Sequence, residues 1–328
     1  PRVVYDGGRG MHLSSPSESG LTLTVTAARP GLVIEYLGSG CLRVRRRGEA
    51  LFWARVERRY EGVWVARRDT RESLGAVPPI RADEARSVDT IEGWMKFFAR
   101  ALGESAASPL RPGVWQLTEL REPADLAQQL RAGTFDVYAP VDRDRLPCMA
   151  YGMLKADASP PAGYVSWGIN GSGDVCLLRS PSDPNASRVK SWRKHAREQT
   201  LPPILLWWVG ALDMHVVLDG HDRLRAAALE GVRPPAITLW QPVDMPLEEN
   251  VPWREEIVRN YERAFESEAR LSVGSRQRLN RSLVNAFRSW RLVKTSATAR
   301  PEAMSAWASE VRSVIADEQI MQKMIGEP

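Results

Sequence analysis

The segment Asp219-Gly220-His221-Asp222-Arg223 sets a carboxylate, a glycine, an imidazole, a second carboxylate and a guanidinium side by side. It stands between an apolar run, MHVVL, and an alanine-rich stretch, LRAAALEG. These residue types at the mouth of a helix suit the binding of a phosphate. Free N–H groups of a first helical turn point outward, and the helix dipole favours an anion by about 0.3–1 kcal/mol, up to about 2. Gly220 would let the anion approach the backbone, and Arg223 would fork onto its oxygens. His221 adds a donor and Asp222 lies in the same turn. Asp219, at the end of the preceding strand, suits a general base or a Mg²⁺ ligand. The plain structural alternative is that Asp219 caps the helix while Arg223 and Arg225 face solvent.

Such a cluster needs a strand, a turn and a helix to hold it. Leu224, Ala227 and Ala228 recur on one helical face over Arg223–Leu229, and Gly231 supplies a stop. Before it, ILLWWV (204–209) and MHVVLD (214–219) read as buried strands, and AITLW (236–240) as a return strand. Upstream, SRVKSWRKHARE (187–198) reads as a helix with Val189, Trp192 and Ala196 inward. Its outer face aligns Lys190, Arg193, Lys194 and Arg197, so Arg193 and Arg197 are candidate additional phosphate contacts, against the alternative of a solvated basic face. A strand pair around Val165–Ile169 and Val175–Leu178 is expected to bracket the turn Asn170–Gly173.

This order of elements resembles the core of the ParB/sulfiredoxin superfamily over residues 163–243. The resemblance rests on SWRKHAREQTLPPILLW, then VVLDGHDRLRAA, then EGVRPPAITL. Partition proteins of that superfamily carry a Gly-Glu-Arg/His-Arg turn and bind CTP, and sulfiredoxins carry a cysteine in the turn. Free serine kinases carry Asp-Gly-His-x-Arg, to which Asp219–Arg223 is most similar. The resemblance implies ATP or CTP held by Gly220, His221, Asp222 and Arg223, with Asp219 catalytic, directly or through Mg²⁺. It departs from the kinases in one respect. Their upstream glutamate has no counterpart in VCLLRSPSDPNASR, where the nearby acids are Asp174 and Asp183. The sulfiredoxin cysteine is missing too, so sulfinic acid reduction is not expected.

Elsewhere the chain is less specific. Short alternating runs at 21–27, 32–37, 41–45, 51–56 and 63–67 predict a twisted antiparallel sheet or small barrel, with residues 1–20 a loose lead-in. Ile91, Trp94, Phe98 and Leu102 predict an amphipathic helix capped by Thr90. Residues 103–115 read as a linker or long loop, 124–131 as a short helix and FDVYAPV (135–141) as a strand. Beyond Pro246 the apolar spacing predicts helices around 257–269, 279–290 and 301–315. Arginines are dense at 43–47 and 58–59 and again over 276–294, where a basic helix would suit a nucleic-acid backbone, against the alternatives of a partner interface or a packing helix.

The bulk numbers frame these readings. The 328 residues carry 45 basic and 40 acidic side chains, a net charge of +5 that permits phosphate-bearing partners without requiring them. Cys41, Cys148 and Cys176 are far apart and form neither a disulfide framework nor a zinc motif, which fits a reducing cytoplasm. The most apolar stretch, 201–218, is interrupted by Pro202, Pro203, Asp213 and His215, so no membrane span is expected.

The expected fold class is therefore α+β. A β-rich N-terminal domain (1–112) and a connecting segment (113–162) would precede a ParB/sulfiredoxin-like mixed α/β core (163–243), with an all-helical region (244–328) after it. The leading functional expectation is a nucleotide-binding protein, an NTPase or small-molecule phosphotransferase. The alternatives are a DNA-associated ParB-like regulator, with nucleotide as switch and the helical tail on DNA, and a catalytically degenerate protein-interaction module.

Overall fold

The computed structural model describes residues 11–14, 20–57, 62–120, 161–166, 175–212, 214–245 and 290–326, with a few isolated positions between 255 and 280. Its architecture is mixed α+β, built on two sheets. The larger holds β1 (Met11–Ser14), β2 (Gly20–Val25), β7 (Gly113–Glu119), β12 (Ala236–Met245), β10 (Ile204–Val209), β11 (Met214–Asp219) and β9 (Val175–Leu177), in that order. β13 (Trp290–Lys294) also pairs with β12. The smaller runs β14 (Ala297–Ala299), β3 (Leu32–Gly38), β4 (Cys41–Arg46), β5 (Glu49–Val56), β6 (Gly62–Arg67), β8 (Ala162–Ser166).

β10 lies at the centre of the larger sheet, parallel to β12 and antiparallel to β11. All six of its residues, ILLWWV, are buried, because the sheet is covered on both faces and no polar alternation is needed. α3 (Ser187–Arg197) and α4 (His221–Leu229) pack against each other beside it, with Val189, Trp192, Ala196, Leu224, Ala226 and Ala227 buried. α2 (Ile91–Glu104) packs on β2 and β7 through a buried stripe that includes Trp94, Phe98 and Leu102. The Thr90 hydroxyl accepts from the Gly93 N–H at 3.1 Å, as its capping position predicts. α1 (Ala82–Ser87) is a short helix before it.

The smaller sheet is a meander of tight hairpins. Arg46 and Glu49 pair across a two-residue turn in which Arg47 (φ 49°) and Gly48 (φ 91°) both have positive φ, the geometry that matches strand twist. One face of this sheet receives the C-terminal helices α5 (Met304–Val314) and α6 (Glu318–Ile325). Glu310 of α5 fixes the docking. Its carboxylate accepts from Arg43 Nη1 at 3.0 Å and from Trp53 Nε1 at 2.8 Å, while Trp307 Nε1 donates to the Leu42 carbonyl at 2.9 Å.

Four expectations need correction. Residues 103–115 are not a linker but a packed loop after the end of α2. Ala107, Ser108 and Leu110 are buried, the Ser108 carbonyl accepts from the Gly31 N–H at 2.8 Å, and β7 begins at Gly113. The lead-in contains β1, paired with β2. The pair around 165–169 and 175–178 is not a hairpin. β8 lies antiparallel to β6, with Val63 opposite Val165, and β9 lies parallel to β11 in the other sheet. The region after residue 244 is not all-helical, since β13 adds an antiparallel strand to β12 and β14 adds a parallel one to β3.

The larger sheet also crosses the expected boundary near residue 112, because β1, β2 and β7 share it with β9 to β12. The strand at 135–141, the helix at 124–131 and Arg58 and Arg59 lie outside the described residues, as does most of the stretch 257–289. Among the described residues no helix is long and apolar enough to cross a membrane. The Cys41 and Cys176 side chains are both buried.

Candidate functional site

The β11–α4 junction has the predicted strand–turn–helix form. Asp219 ends β11, Gly220 is the N-cap with φ 98° and ψ 21°, and α4 starts at His221. The left-handed backbone at Gly220 explains the glycine. A Cβ at that position would lie 2.7 Å from Ile204 Cγ2 and 2.9 Å from Arg223 Nη2. The glycine therefore serves the turn and close packing. The expectation that it opens the backbone to an anion is corrected: Ile204 and Arg223 cover that face.

Arg223 is 1% exposed, not in solvent. Its Nη2 donates to Asp219 Oδ2 at 2.7 Å and to the Pro203 carbonyl at 3.0 Å, and its guanidinium stands 5.7 Å from the Trp192 ring centroid. Asp219 therefore pairs with Arg223 four residues on. Asp222, 5% exposed, is held as firmly. It accepts from the Ser182 N–H at 2.8 Å and meets Arg179 at 3.4 Å and Arg188 at 3.7 Å. Asp222 thus anchors the loop after β9, whose own acid, Asp183, accepts from the Asn185 N–H at 2.7 Å; Asp174 lies outside the described residues.

The outer face of α3 is also paired. Arg193 and Arg197 both donate to Glu230 Oε1, at 2.5 and 2.9 Å, and the Arg193 bond chiefly holds that carboxyl below its usual range. Glu230 follows α4, so this fork ties the two helices together. His195 is not part of the fork; its Nδ1 meets the Thr200 hydroxyl at 2.9 Å.

Two arginines unforeseen in the sequence complete the neighbourhood. Arg67, at the end of β6, donates from Nη1 to the Ser180 hydroxyl at 2.5 Å, and that hydroxyl donates to Asp69. Arg179 donates to the Ser180 carbonyl at 2.9 Å. Neither carries a local motif; they arrive through long-range pairing of the β6 end with the loop after β9. Around His221 the positive field is strong. Burial first, then the charges of Arg179, Arg67 and Arg223, push its imidazole well below the usual histidine range, so it is neutral.

Four buried nitrogens in this region have no hydrogen-bond partner among the described residues: His221 Nε2, Arg223 Nε, Arg67 Nε and Trp192 Nε1. Buried donors are seldom left so, because each orphaned group costs about 1–3 kcal/mol. An anion's oxygens would accept from such groups. A resident Mg²⁺ fits poorly. Asp219 faces a guanidinium, both Asp222 oxygens are engaged, and the described residues contain no group of three or more metal-ligating side chains.

His215, on β11, is the second buried histidine. It is fully enclosed, packs edge-on against Trp208 with centroids 4.8 Å apart, and burial drives its pKa down to about 3. That makes it a neutral core residue. No known family, curated protein or solved structure matches this chain.

Proposed function

We propose that this chain is a ParB/sulfiredoxin-like nucleotide-binding protein that holds nucleotide phosphate at the β11–α4 junction. One observation carries the reading: a buried His221 Nε2 in the joint field of Arg67, Arg179 and Arg223 that, like the Nε atoms of Arg67 and Arg223, has no hydrogen-bond partner among the described residues. Phosphate oxygens would accept from these donors, and the amides at the start of α4 would add to the field. Binding is the part of the activity that the geometry favours. For Asp219 to act as a base in an NTPase or phosphotransferase, it would have to leave Arg223. Hydrolysis or transfer would therefore begin with a rearrangement of that ion pair, which phosphate could drive by taking Arg223 over.

Calorimetric titration of the full chain with ATP and with CTP tests this. We expect saturable binding of one of them, weakened about tenfold or more by Arg179→Gln, whose target is one charge-assisted contact. No heat at millimolar nucleotide, or affinity indifferent to Arg179→Gln, would remove the proposal. Retention on DNA instead, steeply dependent on salt, would move the chain to the regulator class.

A further inference from the structure

A second arginine cluster lies away from the β11–α4 junction, on the smaller sheet. Here a cleft of about 650 Å³ is lined by Arg45 and Arg47 from the β4–β5 hairpin, Glu35 of β3, Arg111 from the approach to β7, Thr298 of β14 and Arg300 just after it. The volume is that of a small-molecule pocket. The walls come from segments more than 250 residues apart, brought together by the parallel pairing of β14 with β3, Ala297 opposite Ile34 and Ala299 opposite Tyr36.

The charges in this cleft are unevenly answered. Glu35 is the acid in its lining, and that carboxylate already accepts from the buried Arg43 at 2.5 Å, with Arg45 further off at 3.9 Å. Arg43 in turn is shared with Glu310 at 3.0 Å. Arg300 has only a loose contact to Glu302 at 3.5 Å, both side chains being exposed. Arg111 donates to the Thr298 hydroxyl at 3.2 Å, a neutral partner, and burial makes its charge costly. Arg45 donates to the Gly48 carbonyl, while its Nε is buried without a partner among the described residues. Counting Arg43, five guanidiniums meet three carboxylates, so the surroundings of the cleft hold an excess of positive charge.

We propose that this cleft binds the diphosphate of a small phosphorylated molecule. Four forked donors around one hollow match the many oxygens of two linked phosphates better than a single carboxylate would. They line a bounded space instead of a track, so a compact ligand fits better than a nucleic-acid backbone. No lining residue belongs to the β11–α4 site, and the inference stands or falls apart from the function proposed there.

The test is calorimetric titration of the full chain with inorganic pyrophosphate and ADP, and with a single-stranded oligonucleotide. Pyrophosphate or ADP should bind at physiological salt. Affinity should fall about tenfold or more in Arg111→Gln and in the double variant Arg47→Gln/Arg300→Gln, whose two side chains are exposed and leave the fold intact. Binding should survive Arg179→Gln. Pyrophosphate and ADP binding equally indicates recognition of diphosphate itself, and ADP preference indicates a nucleotide. No binding of either, binding unchanged in the double variant, binding lost in Arg179→Gln, or a clear preference for the oligonucleotide would overturn the proposal.

Discussion

At the β11–α4 junction three acids face arginines of the same neighbourhood: Asp219 with Arg223, Asp222 with Arg179 and Arg188, Glu230 with Arg193 and Arg197. In the cleft beside β14 the arginines outnumber the acids, and one of them leans on a neutral hydroxyl. The first set is largely structural, fastening α3, α4 and the loop after β9 onto the larger sheet; its arginines also outnumber its acids, five to three, but each is in an ion pair. The second set lies nearer solvent, and its guanidiniums are weakly held. Arginine content therefore says little about role. Depth and partner decide whether a guanidinium holds the fold or waits for an anion.

The sharpest way to break this contrast is to remove one arginine from each place. Arg223→Ala leaves Asp219 without its partner and opens a hole beside Trp192. A loss of about 3–5 kcal/mol is expected from denaturant unfolding. Arg47→Gln, on an exposed hairpin turn, should change stability by less than about 0.5 kcal/mol. Equal effects would erase the distinction between the two clusters.

A smaller effect comes from protons. His215 stays neutral when folded, with a pKa of about 3, while the unfolded chain's histidine titrates near the ordinary histidine value of 6.5. The folded pKa is the lower one, so below pH 6.5 the unfolded state takes up a proton that the folded state refuses. Stability then falls as pH drops, by about 2 kcal/mol between pH 6.5 and pH 5 for this residue. His221 acts in the same direction. Urea midpoints measured across that window should fall, and His215→Phe should flatten the slope. Nucleotide bound at the junction should also oppose the loss, because its negative charge would help His221 accept a proton.

The smallest expected effect is on the α3 face. Arg193→Gln removes a partly exposed ion pair to Glu230 and should cost less than about 1 kcal/mol. It should leave ATP and CTP affinity unchanged, since Glu230 already occupies this arginine. A large affinity loss would return the α3 stripe to the binding site.

How much of this was legible in the sequence depends on how far apart the partners lie. α2 with its Thr90 cap, β10, β11, α4 and β12 follow from local apolar spacing, a capping hydroxyl and two well-placed glycines. β7 was hidden because the alternation of Trp115 and Leu117 with polar residues is short and directly follows a proline-rich stretch that reads as loop. The sheet assignments of β8 and β9 were hidden because each pairs with a strand far away in the chain, which no local turn signal encodes. The site divides in the same way. Asp219, Gly220 and Arg223 are neighbours in sequence, and their residue types announced a strand–turn–helix junction. Their mutual pairing was not foreseen, because a lone Asp and Arg four apart fit solvent as well as each other. Arg67, Arg179 and Ser182 could not be found without the fold, since tertiary pairing alone brings them to α4.

The central claim, that the orphaned donors around His221 receive phosphate, is tested most directly by imidazole ¹⁵N spectra during a nucleotide titration. The chain has four histidines, so each ring can be assigned by substitution. The account predicts that the His221 ring nitrogens shift strongly with saturating ATP or CTP while those of His215 stay fixed. Saturable nucleotide binding with an unmoved His221 signal would contradict it.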